Sequence, residues 1–214
     1  MSYRRLAFVA LVAILAAPAA GVARPAPALA PSAVHVRHEL ASIHQNGLLL
    51  GESSAPVQII EYASLSCGAC ARVHRAVLPA VIDRYVRTGV ASLEFRGIGD
   101  TPRAQQLAVG AYAASAQRYG WEFIQLAYLR SLNADSPARL AAALGLDESR
   151  FRKELKDPEW PLLLRGAASV LSVAHFRGDP VFLVRRPGQT FQVLTQPTTV
   201  RQFTEAIVNA QRHA

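Results

Sequence analysis

The chain has two cysteines, and they stand three residues apart as Cys67-Gly68-Ala69-Cys70. A disulfide between such close neighbours closes a very small loop. It removes little entropy from the unfolded chain and so adds little stability. The pair is better explained by chemistry. The first thiol can attack a foreign disulfide as a thiolate, and the second can resolve the mixed disulfide so formed. A CxxC can also be half of a zinc site, but zinc takes four ligands and the sequence holds no second cysteine pair. Two thiolates do suit Cu(I), which accepts soft ligands at low coordination number. His74 lies four residues after Cys70 on roughly the same helical face. It is a candidate third ligand or proton carrier, and its plainer reading is a helix-surface residue. Arg72 and Arg75 read as a solvated helix face near the rim of the pair.

The elements around the pair decide which chemistry is available. Pro56 to Ala63 (PVQIIEYA) is a β-rich run in which Val57, Ile59 and Glu61 share one face. Ala71 to Arg87 carries apolar residues at helical spacing, with Pro79 predicted to kink it and Gly89 to stop it. Cys67 therefore falls at a strand-to-helix junction. The N–H groups of the first helical turn and the helix dipole favour a thiolate there. Val90 to Arg96 reads as a second strand. Residues 102–158 are rich in Ala, Leu, Arg and Gln, with helices predicted near 103–118, 120–131, 137–144 and 147–156. A further helix is opened by Pro161 and runs to His175, which reads as a helix-terminal residue. Val181–Val184 and Thr190–Leu194 flank Pro187-Gly188 and read as a hairpin. Thr199 to Gln202 is a capping box that opens the last helix. Trp121 and Phe123 read as core.

This order is β-α-β, a helical block, then α-β-β-α. It implies one mixed sheet with helices on both faces. Together with the CxxC at the first strand–helix junction and Gly178-Asp179-Pro180 just before the strand VFLV, it resembles a DsbA-type protein of the thioredoxin-fold superfamily. The resemblance runs from about Gly51 to the C-terminus. It implies an α/β thioredoxin-like fold, a mixed central sheet with flanking helices and an inserted helical subdomain at about 102–160. It also implies thiol:disulfide oxidoreductase activity with Cys67 and Cys70 as the redox pair. Pro180 matches the family's cis-proline, so Asp179 and Pro180 become the expected substrate-binding backbone. Glu61 matches a buried acid six residues before the first cysteine, with an expected role in proton exchange with Cys70. The chain departs from the pattern twice. Gly68-Ala69 places no histidine between the cysteines, and Asp179 puts a carboxylate before the proline. Both features argue against a very strong oxidant.

Residues 1–23 read as a secretory signal: Arg4 and Arg5, an apolar stretch from Leu6 to Ala17, then small residues near a cleavage site at Ala23. An uncleaved anchor is the alternative. Residues 24–34 read as a Pro/Ala-rich linker and His35 to Gln45 as a short helix; 24–48 thus precede a domain spanning 49–214. The segment 35–47 is too short to be a separate dimerisation domain. The net charge is +8, but the arginines are scattered, which argues against nucleic acid as a partner. The expected partners are cysteine-containing exported proteins and a membrane redox partner, with no cofactor required and a periplasmic location.

Overall fold

The computed structural model describes residues 30–130, 135–176 and 178–212. The expected signal lies outside the described residues. Among the described residues, six strands form one mixed sheet in the order β1-β2-β4-β3-β5-β6. They are β1 (Gln45–Asn46), β2 (Leu49–Leu50), β3 (Val57–Ala63), β4 (Ala91–Gly97), β5 (Val181–Arg185) and β6 (Gln192–Thr195). The central pair β3–β4 is parallel; every other pairing is antiparallel. A mixed sheet is what the β-α-β order followed by a late hairpin implies, because a parallel pair needs a crossover and a hairpin does not.

The crossover from β3 to β4 is the helix α2 (Gly68–Ala76), the single turn α3 (Leu78–Val81) and a π turn over Ile82–Val86. The kink expected at Pro79 is a break, with Val77 at φ −118°. Proline cannot donate to a preceding carbonyl, and its ring crowds the turn before it. The π turn closes with the Arg87 N–H on the Ile82 carbonyl at 2.8 Å. The helical block follows as α4 (Pro102–Ser115), α5 (Gly120–Leu129), α6 (Pro137–Ala143) and α7 (Glu148–Glu154). The long helix α8 (Glu159–Val173) leads back to β5, and α9 (Val200–Arg212) ends the chain. Gly188 sits at φ +85° in the β5–β6 turn, and the Gln189 N–H reaches the Arg186 carbonyl at 3.0 Å. This is a type II turn with proline and glycine where each is favoured. Gln202 accepts the Thr199 N–H at 3.1 Å, the reciprocal half of the capping box.

The two faces of β3 meet different layers. Val57, Ile59 and Ala63 enter the main core with α2, α5 and α9; Ile60 and Tyr62 pack with Ala167 of α8, Val181 and Leu183. Trp121 and Phe123 are fully buried in the main core, as expected. The outer side of α8 leaves Leu162 and Val173 exposed.

The N-terminal part differs from expectation. The helix is α1 (Pro31–Glu39), not 35–45 preceded by a linker to 34, because Pro31 occupies the first helical turn, where it is tolerated. Ala33 and Val36 of α1 are fully buried. Gln45, expected to end that helix, is instead the first strand residue. The compact unit therefore begins before residue 49. The α8 helix also opens two residues early, because Asp157 Oδ1 accepts the Glu159 N–H at 2.9 Å.

Gln45 ties this N-terminal edge to the helical block. Its Nε2 donates to both Glu122 oxygens at 3.0 and 2.9 Å, and its Oε1 accepts the Trp121 N–H at 3.2 Å. Burial raises the Glu122 carboxyl above its ordinary range, while the Gln45 bond acts the other way. A carboxyl raised on folding contributes stability that is present below its unfolded titration range and lost as pH rises through the folded one. Glu122→Gln keeps an acceptor for Gln45 and removes that loss. Its melting temperature relative to wild type should climb by a few degrees between pH 4 and pH 7.5, since about 1 kcal/mol moves a chain of this size by roughly 2–4 °C. Thermal melts showing a constant offset across that range would refute this.

Candidate active site

β3 ends at Ala63, and three residues later the chain turns into α2 with Cys67 as its N-cap. The Cys67 sulfur takes the place of a capping oxygen: the Cys70 N–H points at it from 3.0 Å. An N-cap side chain satisfies one of the orphan donors of the first turn. When that side chain is a thiol, the same N–H and the helix dipole favour its ionised form. Cys67 and Cys70 form a disulfide, with their Cα atoms 5.3 Å apart. Cys67 is half-buried and Cys70 is fully buried. A foreign disulfide can therefore reach the first sulfur and not the second. Gly68, beside Cys67, is exposed and a Cβ there would meet only an Arg72 nitrogen at 3.9 Å. Arg72 and Arg75 lie on the exposed side of α2, as expected.

The segment 178–181 comes back across the pair. The Asp179–Pro180 bond is cis, and the Asp179 carbonyl oxygen lies 3.6 Å from Cys67 Sγ. Gln196 holds this loop from the far side: its Nε2 donates to the same carbonyl at 3.1 Å, and its backbone N–H donates to the Pro180 carbonyl at 2.8 Å. The Asp179 side chain turns inward. Its Oδ2 sits 3.3 Å from Cys70 Sγ and accepts the Ser64 N–H at 3.4 Å. Ser64 Oγ donates to Asp100 Oδ1 at 2.7 Å, so one serine touches two carboxylates. Burial, and after it the negative charge of Asp100, pushes the Asp179 carboxyl up from its ordinary range; the Ser64 N–H opposes this.

Beneath the pair lies a second polar group. Glu61 is fully buried, more deeply than its strand-end position suggests. Its register neighbours are Phe95 on β4 and Phe182 on β5. His74 Nε2 bonds both of its oxygens, at 2.9 and 3.1 Å. His74 is not the surface residue that its helix position suggests; it is 1% exposed. The reason is α5, which lies over that side of α2. Gln125 Oε1 is 3.4 Å from His74 Nδ1, and the Tyr128 ring packs on the imidazole with centroids 4.2 Å apart. The Tyr128 hydroxyl donates to the Ser64 carbonyl at 3.0 Å. Burial, then Glu61, Asp179 and Asp100, raises that phenol well above its ordinary value.

The structure thus brings Cys67, Cys70, Asp179 and Pro180 together, with Glu61 one layer below and joined to His74. Sequence reasoning weighed His74 as a proton carrier but favoured the surface. It missed Ser64, Asp100, Gln125 and Tyr128. The signal for His74 was its place one turn after a cysteine whose neighbours Ala71 and Val73 are apolar. For Asp100 and Tyr128 no local pattern points to the site. His74 is sequestered by Glu61, so it is not a third ligand for a metal at the cysteines. The donor nearest the sulfurs is a carboxylate, a hard oxygen poorly matched to Cu(I).

Comparison with known proteins agrees with this architecture. Residues 44–184 match the model of a family described as Thioredoxin. A stretch of 140 residues is 30% identical to the Na(+)/H(+) antiporter NhaA 3 of Salinispora tropica, covering 63% of this chain and 21% of the antiporter. The NhaA 1 antiporter of Salinispora arenicola matches over 140 residues at 29% identity. The chain spans about a fifth of the length of these curated relatives. Among solved structures, Wolbachia pipientis alpha-DsbA1 superposes with a TM-score of 0.69 at 20% identity, over 79% of this chain and 93% of that one. BdbD from Bacillus subtilis, in its oxidised form, gives 0.66 at 12% identity, over 78% and 93%. A thioredoxin-like oxidoreductase from Silicibacter pomeroyi gives 0.66 at 19% identity, over 78% and 92%. With its CxxC at the N-cap of α2 and a proline facing it, the chain belongs to the thioredoxin family and shares the fold of the DsbA structures.

Proposed function

We propose that this protein is an exported thiol–disulfide oxidoreductase that exchanges disulfides with cysteines of other exported proteins. The observation that carries the reading is the asymmetry of the pair: Cys67 is accessible and capped by an N–H, while Cys70 is fully buried behind it. In the reducing direction, the Cys67 thiolate attacks one sulfur of a substrate disulfide. A Cys67–substrate disulfide forms and the other substrate sulfur leaves as a thiolate. Cys70 then attacks Cys67 Sγ, the Cys67–Cys70 bond forms, and the substrate leaves reduced. The oxidising direction is the reverse. The backbone at Asp179 and Pro180 borders Cys67 and is the surface on which an extended substrate segment would lie. Among the described residues no helix is long and apolar enough to cross a membrane. Export rests on residues 1–23, and a periplasmic location with a membrane redox partner to reset the pair follows from it. Scattered arginines give no nucleic-acid footprint.

The metal-handling alternative loses its best supporting residue with His74 tied to Glu61. What remains is the trio of Cys67, Cys70 and Asp179, whose sulfur and carboxylate atoms lie within 4.8 Å of one another and whose hard oxygen suits Cu(I) poorly.

Two measurements check the function. In a disulfide-exchange assay on a protein substrate, Cys67→Ser should fall to the uncatalysed rate, and Cys70→Ser should accumulate substrate-linked mixed disulfides visible on non-reducing gels. Retained turnover in Cys67→Ser would reject the reading. The second is the reduction potential of the pair in glutathione buffers. No side chain between the cysteines can hold a thiolate, and the Asp179 carboxylate opposes one. The potential should therefore lie well to the reducing side of the strong oxidants at about −120 mV, toward thioredoxin's value of about −270 mV. A value near −120 mV would show that N-terminal helix N–H groups alone suffice for an oxidant.

A further inference from the structure

Resolution of a mixed disulfide needs the buried Cys70 to lose a proton where water does not reach it. The acid expected to take that proton, Glu61, is committed elsewhere: both of its oxygens face His74 Nε2, and it makes no hydrogen bond to either cysteine. Another carboxyl does touch the sulfur. We propose that Asp179 is the catalytic residue that takes the proton from Cys70 and returns it, in place of the acid on the strand. The proposal rests on the oxidoreductase reading above.

The geometry is direct. Asp179 Oδ2 lies 3.3 Å from Cys70 Sγ, within reach of a thiol proton. The oxygen is held in place by the Ser64 N–H. The loop that carries Asp179 is fixed by the two Gln196 bonds on its other side. The groups facing this carboxyl are few. From the β3–α2 loop come Ser64 and Cys67, and from the first turn of α2 comes Cys70. From the loop before α4 comes Asp100, bonded to the hydroxyl of that same serine. From α5 comes the Tyr128 phenol, anchored on the Ser64 carbonyl. The carboxyl is also pushed up by burial and by Asp100, which brings it closer to a thiol in proton affinity. A base raised toward the thiol range meets a smaller penalty in taking and returning its proton.

In the Cys67–substrate mixed disulfide, the Asp179 carboxylate takes the Cys70 proton. The Cys70 thiolate attacks Cys67 Sγ, the Cys67–Cys70 bond forms, and the Cys67–substrate bond breaks. The substrate sulfur leaves with the electron pair as a thiolate. Cys67 and Cys70 are oxidised together by two electrons, and the substrate disulfide is reduced by two. When a substrate thiolate later opens the internal disulfide at Cys67, the protonated Asp179 returns the proton to departing Cys70.

A merely electrostatic role predicts the opposite effect. A carboxylate beside a thiol disfavours its ionisation, so removing the charge would let Cys70 ionise more readily and resolve faster. The test is rapid-quench mass spectrometry of the reduced full chain mixed with oxidised glutathione. It follows formation and decay of the glutathionylated Cys67 species from pH 5.5 to 8.5. In Asp179→Asn, formation should be no slower than in wild type. Decay should be about a hundredfold or more slower near pH 6.5, and should recover as hydroxide replaces the missing base. Asp179→Glu, which keeps a carboxyl, should recover part of the rate. Decay in Asp179→Asn that is unchanged or faster, with a folded spectrum, overturns the proposal. So does a loss confined to Glu61→Gln. If glutathionylation does not form at Cys67 in wild type, it is the oxidoreductase reading that fails.

Discussion

A carboxylate in the middle of a sheet must find a partner, and in this protein the contact between Glu61 and His74 dictates much of what surrounds it. Both side chains are fully out of solvent. Removing one member of such a buried pair leaves the other a polar group without its partner, at a cost of about 1–3 kcal/mol. The pair fixes the distance between β3 and α2 just below the cysteines. It also needs a roof, because an imidazole on the outer side of α2 would otherwise meet water. The α5 helix supplies one with Gln125 and Tyr128, and α5 is held over the sheet edge by Gln45 and by the Trp121 indole on the Leu48 carbonyl at 2.9 Å. The helical block is therefore part of the site, although it contributes no atom to the disulfide.

Once Glu61 and His74 satisfy each other, the electrostatics of the cysteines are set from the opposite side. Asp179 and Asp100 converge on Ser64, and the Asp179 carboxyl of this corner touches the buried sulfur at 3.3 Å, with the Cys67 sulfur also within 4.8 Å. The two sulfurs thus differ in their direct contacts. Cys67 meets a helix N-terminus, which favours negative charge, and Cys70 meets a carboxylate, which does not. The proposed division between an attacking and a resolving thiol would draw on that difference as much as on exposure.

The parts of this arrangement that depend on short-range pattern were legible in the sequence. The alternation in β3, the CxxC after it, the Pro-Gly hairpin turn and the Gln202 cap each rest on neighbours in the chain, and each element forms where expected. The helices of the inserted block were legible for the same reason, with ends moved by a few residues where local caps such as Asp157 intervene. What was not legible depends on packing between distant segments. His74 reads as a surface residue because its helix face is covered by α5, fifty residues away. The first turn of the N-terminal helix reads as linker because Ala33 looks unremarkable until α5 is set against it. Asp179 was legible as an unusual residue before the proline, but not its contact with Cys70.

That contact spans 109 residues of chain. During vectorial synthesis, the CxxC and its helix emerge long before the segment that faces them. Until β5 docks beside β3, Cys67 has neither its bordering backbone nor an acid beside its resolving partner. Loop closure over such a span comes late, since its entropic cost must be met before distant contacts reward it. The reactive pair and the machinery that governs it are thus joined only in a finished chain. Thiol chemistry in a half-made molecule is limited by topology and not by any separate inhibitor.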